Sequence, residues 1–326
     1  MNAATASLAG ATLITGANGY VGRALCARAA AQGRPVRACV RSATDMPVHG
    51  LPTVAVGDIH EATEWSAALN GCSTVVHLAA RVHVMNERSS DPLREFRRTN
   101  VDGTLHLARQ AARSGVRRFV FVSSIKVNGE ATSAGHPFTA ADAPAAGDAY
   151  GISKMEAEQG LPTIARDTGM EVVIVRPPLV YGPGVKANFA SLMRAVQRGI
   201  PLPLGSVSNN RRSLVALDNL VDLLITCIHH PAAAGQTFLV SDGEDLSTTA
   251  LIRRIGQAIG TPARLLPVPP ALLELGAAVV GKRDMAQRLL GNLQVDITHT
   301  RTTLGWAPPI SVDEGLRRAT AGMVAR

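Results

Sequence analysis

A short β-branched run that stops at a glycine, with two more glycines three and six residues on, leaves a chain few ways to fold. Ala11-Thr12-Leu13-Ile14-Thr15 reads as a buried strand. Gly16-Ala17-Asn18-Gly19-Tyr20-Val21-Gly22 reads as a turn, and the alanine-rich stretch from Arg23 to Gln32 as a helix. Strand, glycine turn and helix start, in that order, are the context that a dinucleotide-binding turn requires. Gly16 makes the tight turn, Gly19 lets the backbone approach a pyrophosphate, and Gly22 lets helix and strand pack closely. The anion would rest on the N–H groups and dipole of the helix start. The spacing is G-x-x-G-x-x-G, which chance alone produces roughly 0.25 times among 30 glycines, so the flanking elements give the triplet its weight.

The rest of the chain repeats that rhythm. Strands are expected at Pro35–Arg41, Thr53–Val56, Thr74–Leu78, Arg118–Val122 and Glu171–Arg176, with helices between them at Arg94–Ser114 and Tyr150–Asp167. Alternating strands and helices imply an α/β fold around a parallel, doubly wound sheet. Pro177-Pro178 and Gly182-Pro183-Gly184 punctuate the chain after the last of these strands. The division expected is residues 1–176 as the dinucleotide-binding domain and 177–326 as mainly a smaller substrate lobe, with some chain returning to the core.

Composition narrows the function classes. Four scattered cysteines without metal spacing read as reduced core residues, and no metal site is expected. The first apolar run lacks a preceding basic segment, and no run approaches the 18 or so apolar residues of a spanning helix, so a cytoplasmic protein without membrane contact is expected. The apolar stretch Ala271 to Val280 is short and reads as core or interface packing. The net charge of +8 comes almost wholly from arginine, whose pairs are dispersed, and aromatics make up only 3%, which argues against nucleic acid and for mostly solvated helix faces. A few arginines should meet an anionic small molecule, since their forks suit phosphates.

Tyr150 and Lys154 are separated by one helical turn. With three tyrosines and four lysines in the chain, that spacing arises by chance roughly 0.04 times. A free phenol, with a pKa near about 10, is no base at neutral pH. A neighbouring ammonium favours the phenolate, so Lys154 is expected to lower the pKa of Tyr150. Such a phenol can exchange a proton with an alcohol while hydride leaves the same carbon.

Thr15-Gly16-x-x-Gly19-x-x-Gly22 together with Tyr150-x-x-x-Lys154 resembles the extended short-chain dehydrogenase/reductase superfamily, in its epimerase/dehydratase branch. The resemblance implies a Rossmann-like fold and NAD or NADP(H) as cofactor. Phe119 to Gly129 is similar to the family's S-S-x-x-V-Y-G segment, with Asn128 in place of tyrosine. It makes Ser124 the catalytic serine, with Ser123 as fallback. Asn100 matches the helix asparagine of the family's proton relay. Leu78, Ala79 and Ala80 match the strand end beside the cofactor, and Asp58-Ile59 the adenine contact. Asn18, Tyr20, Val21 and Pro177 complete the expected cofactor wall. Arg41, where an acid would hold a ribose 2′-OH, accommodates a 2′-phosphate or stacks on adenine, which leaves the choice of cofactor open.

The segment Arg176 to Gly184, followed by Asn188, resembles that of nucleotide-sugar epimerases, dehydratases and reductases. Arg212 then becomes the diphosphate ligand, with Arg283 and Arg288 as candidates for a second, and Lys126 joins Ser124 on the substrate side. Sugar dehydratases carry an Asp-Glu pair where this chain has Ile125-Lys126, so elimination of water lacks its proton donor and acceptor. The resemblance therefore implies a UDP-hexose 4-epimerase or a UDP-4-keto-sugar reductase of surface polysaccharide synthesis. It implies a homodimer through residues 91–114 and 150–168. The alternatives are a reductase of a flavonoid- or steroid-type carbonyl and a non-catalytic NAD(P)-sensing protein of the same fold.

Overall fold

The structure is a computed structural model that describes residues 10–82, 91–279, 281 and 283–323, the side chains of 283–285 excepted. The first half builds a wound sheet: β1 (Ala11–Thr15), α1 (Tyr20–Ala31), β2 (Val36–Val40), β3 (Thr53–Ala55), α2 (Ser66–Leu69), β4 (Cys72–His77), α3 (Pro92–Arg97), α4 (Thr104–Arg113), β5 (Arg118–Val122), α5 (Ala149–Thr168) and β6 (Glu171–Arg176). After Pro177-Pro178 come β7 (Leu179–Tyr181), α6 (Ala187–Gln197), β8 (Arg212–Ala216), α7 (Leu217–His229), β9 (Thr237–Leu239), β10 (Asp245–Leu246) and α8 (Thr248–Ile259). The chain closes with α9 (Pro270–Val279), α10 (Arg283–Leu290), α11 (Thr298–Leu304) and α12 (Val312–Thr320).

Seven parallel strands lie in the order β3-β2-β1-β4-β5-β6-β9. The winding reverses between β1 and β4, and a crevice opens there at the carboxyl ends of the strands. The register aligns those ends: Thr15 pairs with His77, and His77 with Phe121. Both faces of the central strands are buried, which is why they read as continuous apolar runs rather than alternating ones. Ile14, Val76, Val120 and Val173 pack on one side with Leu25 of α1 and Leu224 of α7. Leu13, Val75, Phe119 and Phe121 pack on the other with Trp65, Leu107 and Leu161. A second sheet, β10-β8-β7, anchors the smaller lobe, where Tyr181, Phe189, Ile252 and Leu316 share a separate core.

Four features depart from expectation. Helix α1 begins at Tyr20 rather than Arg23, because Gly19 is its N-cap. The helix expected over Arg94–Ser114 is interrupted by a π turn, Arg98–Gly103, between α3 and α4. Arg118 is not a solvated arginine. It is 4% exposed, bonds Glu171 (Nε to Oε2, 2.7 Å), and donates Nη1 to the carbonyls of Cys227, Ile228 and His230 at 2.9–3.0 Å, closing the C-terminus of α7. The apolar run expected in core or interface forms α9, none of whose residues is buried, so it is not core; Val280 lies outside the described residues. Among the described residues, no helix is long and apolar enough to cross a membrane.

Candidate functional site

At the crevice, the first turn of α1 is brought against β1 and β4 by bare backbone. A Cβ on Gly22 would lie 2.1 Å from the Gly16 carbonyl oxygen, and one on Gly16 would lie 2.9 Å from the Ala79 nitrogen. Gly16 also adopts φ +64°, a left-handed conformation open to glycine at little cost. Its carbonyl accepts from Gly19 N at 2.9 Å, and no side chain caps α1, so the helix start is left to a ligand. The cleft beyond it measures about 830 Å³. Every residue expected at the dinucleotide, from Gly16 through Arg41, Asp58, Ala79 and Tyr150 to Pro177, lies on its wall. A further wall atom, the Ser123 Oγ, is buried with no hydrogen-bond partner among the described residues. A buried hydroxyl of that kind needs a partner that a bound molecule would supply. The residues present therefore fit a dinucleotide. Arg41 is largely exposed, with Asp58 3.8 Å from it.

Beneath the cleft, a buried polar chain ties three elements together. The Thr15 hydroxyl accepts from Leu78 N and Ala79 N (both 3.2 Å) and lies 2.7 Å from His77 Nδ1. Since those two N–H groups occupy its lone pairs, Thr15 donates to Nδ1, and His77 Nε2 donates to Thr104 Oγ1 at 3.0 Å. The imidazole is neutral, because burial and then the Lys154 charge push its pKa down to about 3. This network fixes the backbone of Leu78 and Ala79 on the cleft wall.

Ser124, Tyr150 and Lys154 converge on the same cleft. Ser124 caps a short 3-10 turn, Ile125–Val127, where it accepts from Lys126 N at 3.3 Å. Tyr150 and Lys154 stand one turn apart on α5, whose N-cap Asp148 accepts from Gly151 N at 2.7 Å. The Lys154 ammonium lies 4.2 Å from the centre of the Phe121 ring. The expected lowering of the Tyr150 pKa by Lys154 is not what the structure gives. Burial, then Asp148, push the phenol up to about 12, and burial pulls Lys154 down to about 7 against the opposing pull of Glu158. Desolvation leads both shifts because it disfavours the charged form of each buried group.

Asn100 lies on the π turn, buried, and touches neither Tyr150 nor Lys154 by any hydrogen bond. Its amide accepts from Arg81 N (2.8 Å) and donates to Arg81 O (3.0 Å) and Ser153 Oγ (2.9 Å). It fastens the strand end after β4 to the helix that carries Tyr150 and Lys154. Gly103 lets the π turn press on the loop that carries Ile59, since a Cβ there would lie 2.5 Å from Ile59 Cγ2. One-turn π bulges of this kind recur at functional sites.

The substrate side is less gathered. Lys126 is held by Glu130 (3.0 Å) and by Asp148, and is not on the cleft wall. Asn188 is exposed near the start of α6, next to Ala187 with its positive φ of 55°. Arg212 opens β8, the strand paired with β7, whose Val180 lines the cleft. It donates to Gly291 O at 3.2 Å, and among the described residues no carboxylate pairs with it. Burial, then the Arg288 charge, lower its pKa. The side chain of Arg283, the other candidate, lies outside the described residues. Among the described residues, no cluster of three or more histidines, cysteines or acids could hold a metal. Arg81, Glu95, Arg98 and Leu220 also line the cleft and were not anticipated. No spacing signals them, because they reach the site from elements brought together only by the fold.

The sequence model of the NAD dependent epimerase/dehydratase family matches residues 12–241. A UDP-glucose 4-epimerase of Vibrio cholerae is 50% identical over 307 residues, 94% of this chain and 93% of its own. A 3 beta-hydroxysteroid dehydrogenase/Delta 5-->4-isomerase of Mycobacterium tuberculosis is 30% identical over 77% of this chain and 70% of its own. The solved UDP-glucose 4-epimerase of Thermotoga maritima, crystallised with UDP-glucose, superposes with a TM-score of 0.75 over 95% of this chain and 97% of its own. At 20% identity that likeness speaks to the fold.

Proposed function

We propose that this chain, which belongs to the NAD dependent epimerase/dehydratase family, inverts C4 of a nucleotide sugar, with UDP-glucose and its C4 epimer as the substrate pair. The observation that carries the substrate class is Arg212. A half-buried guanidinium with a second arginine charge beside it and, among the described residues, no carboxylate partner needs an anion, and a diphosphate supplies two. A steroid-type carbonyl would give that pair nothing to bind. The 50% identity to the Vibrio cholerae UDP-glucose 4-epimerase supports the same reading.

In this mechanism the glycine turn at Gly16, Gly19 and Gly22 and the wall at Leu78, Ala79 and Ala80 would hold the dinucleotide, which would supply hydride chemistry at C4. Tyr150 exchanges the proton of the C4 oxygen, and Ser124 donates a hydrogen bond to that oxygen. Lys154 stands one helical turn from Tyr150 on the same cleft wall, a second group there that can carry a proton. Asn100 holds the helix in register. A homodimer through residues 91–114 and 150–168 belongs to the same reading and is tested by light scattering.

Reduction of a 4-keto sugar would use the same three residues, and one observation favours it: Arg41, not an acid, stands where β2 meets the cleft. Identifying the nucleotide released from denatured, freshly purified protein separates the two. Tightly held NAD fits an epimerase, which regenerates it each cycle. An empty site that prefers NADPH fits a reductase. Interconversion of UDP-glucose and UDP-galactose should be lost in Tyr150→Phe with NAD binding kept, and UDP should bind Arg212→Met at least about tenfold more weakly. Wild-type turnover in Tyr150→Phe would remove the catalytic assignment.

A further inference from the structure

Ser124 and Tyr150 belong to different elements, a 3-10 turn after β5 and the first turn of α5, with the loop 128–148 between them. Lys126, on the 3-10 turn, reaches across to the start of α5. The Lys126 amide donates to Ser124 Oγ at 3.3 Å, and the Lys126 ammonium bonds the carboxylate of Asp148. The other oxygen of Asp148 accepts from Gly151 N at 2.7 Å, next to Tyr150. The Lys126 carbonyl also presses on the helix start, since a Cβ on Gly151 would lie 3.1 Å from it. Glu130, four residues on, holds the same ammonium at 3.0 Å. With a side chain only 19% exposed and two carboxylates on it, Lys126 has little left for a ligand.

We propose that Lys126 is a positioning residue that clamps the Ser124 turn to the N-cap of the Tyr150 helix, and that it does not contact substrate. Its side chain bridges Asp148 while its backbone bridges Ser124, so the two groups that meet the reacting oxygen keep one relative placement. A misplacement of about 1 Å at such a site costs on the order of 100-fold in rate, so the clamp acts on turnover rather than on affinity.

The test rests on the epimerase reading for its kinetics and uses the whole chain. Lys126→Met and Asp148→Asn should each lower kcat for UDP-galactose at least about tenfold, with KM within about twofold. The double variant should be no worse than the weaker single one, because both break one clamp. Lys126→Arg, which keeps the ion pair, should recover most of the turnover. A raised KM at unchanged kcat would make Lys126 a substrate contact and overturn the proposal; so would unchanged kinetics, or losses that multiply in the double variant. Hydrogen–deuterium exchange of the peptide over residues 146–156 reads the clamp without substrate. It should quicken in Lys126→Met, and unchanged exchange overturns the clamp. Failure of the wild-type protein to turn over UDP-sugars would sink the epimerase reading alone, and exchange would still decide the clamp.

Discussion

Lys154 is 2% exposed, and its ammonium has the Phe121 face at 4.2 Å. Burial pulls its pKa from 10.5 to about 7, against the raising influence of Glu158. Below pH 7 both folded and unfolded chains carry the proton, and the folded state bears the full desolvation penalty. Between about 7 and 10.5 the unfolded chain binds one proton more, so stability rises with pH across that window. The slope from this single group approaches about 1.4 kcal/mol per pH unit, with a ceiling of about 5 kcal/mol. The perturbation is Lys154→Met, which keeps the stem on the Phe121 ring and removes the charge. Urea unfolding of both proteins, freed of nucleotide, is measured from pH 7 to 9.5. His77 titrates below that range, since its pKa falls to about 3, and Tyr150 above it, at about 12. The methionine variant should be the more stable of the two at pH 7, and the gap should close as pH rises. A gap that is constant, or that widens with pH, would refute the account of Lys154 as a desolvated cation.

Gly22→Ala places a methyl 2.1 Å from the Gly16 carbonyl oxygen. Relief requires α1 to shift by about 1 Å, at about 1–3 kcal/mol, so isothermal titration should show NAD affinity reduced about five- to 150-fold. Arg118→Met strips the carbonyls of Cys227, Ile228 and His230 and the Glu171 carboxylate of their common donor. About 3–5 kcal/mol of stability should be lost in urea unfolding, with the KM for UDP-sugar unchanged.

What could be read from residue order alone was local. The glycine turn, the strand before it and the Tyr150–Lys154 pair all act over seven residues or fewer, and chain spacing dictates their geometry. The strands of the first half other than the edge strand β3 were recognisable because a sheet buried on both faces demands unbroken apolar runs. Arg118 looked like half of an exposed pair, since nothing near it in sequence reveals the carbonyls of Cys227, Ile228 and His230, 109–112 residues away. The π turn at Asn100 could not be foreseen either, because it is imposed by the Arg81 backbone and Ser153. Strand β9 escaped notice for its three residues, although it adds the seventh strand to the large sheet. The Tyr150 pKa went the wrong way because a spacing argument counts neighbours and not lost water.

Asn128, the one position where the serine segment departs from the family pattern, shows where such departures are tolerated. It takes no part in the cleft wall. Its amide oxygen accepts from Arg176 Nη1 at 2.9 Å, and its amide nitrogen donates to Thr139 O at 2.9 Å. Arg176 in turn grips Glu158 with Nε, 3.0 and 3.1 Å from the two carboxylate oxygens, both side chains 7% exposed or less. Glu158 is the charge that opposes the loss of the proton from Lys154. A buried carboxylate cannot stay ionised without donors, and Arg176 cannot be buried without acceptors. Asn128 supplies the acceptor that Glu158 alone leaves unfilled. Asn128 therefore bears on how the charge that opposes proton loss from Lys154 is held, and stands apart from the cleft wall.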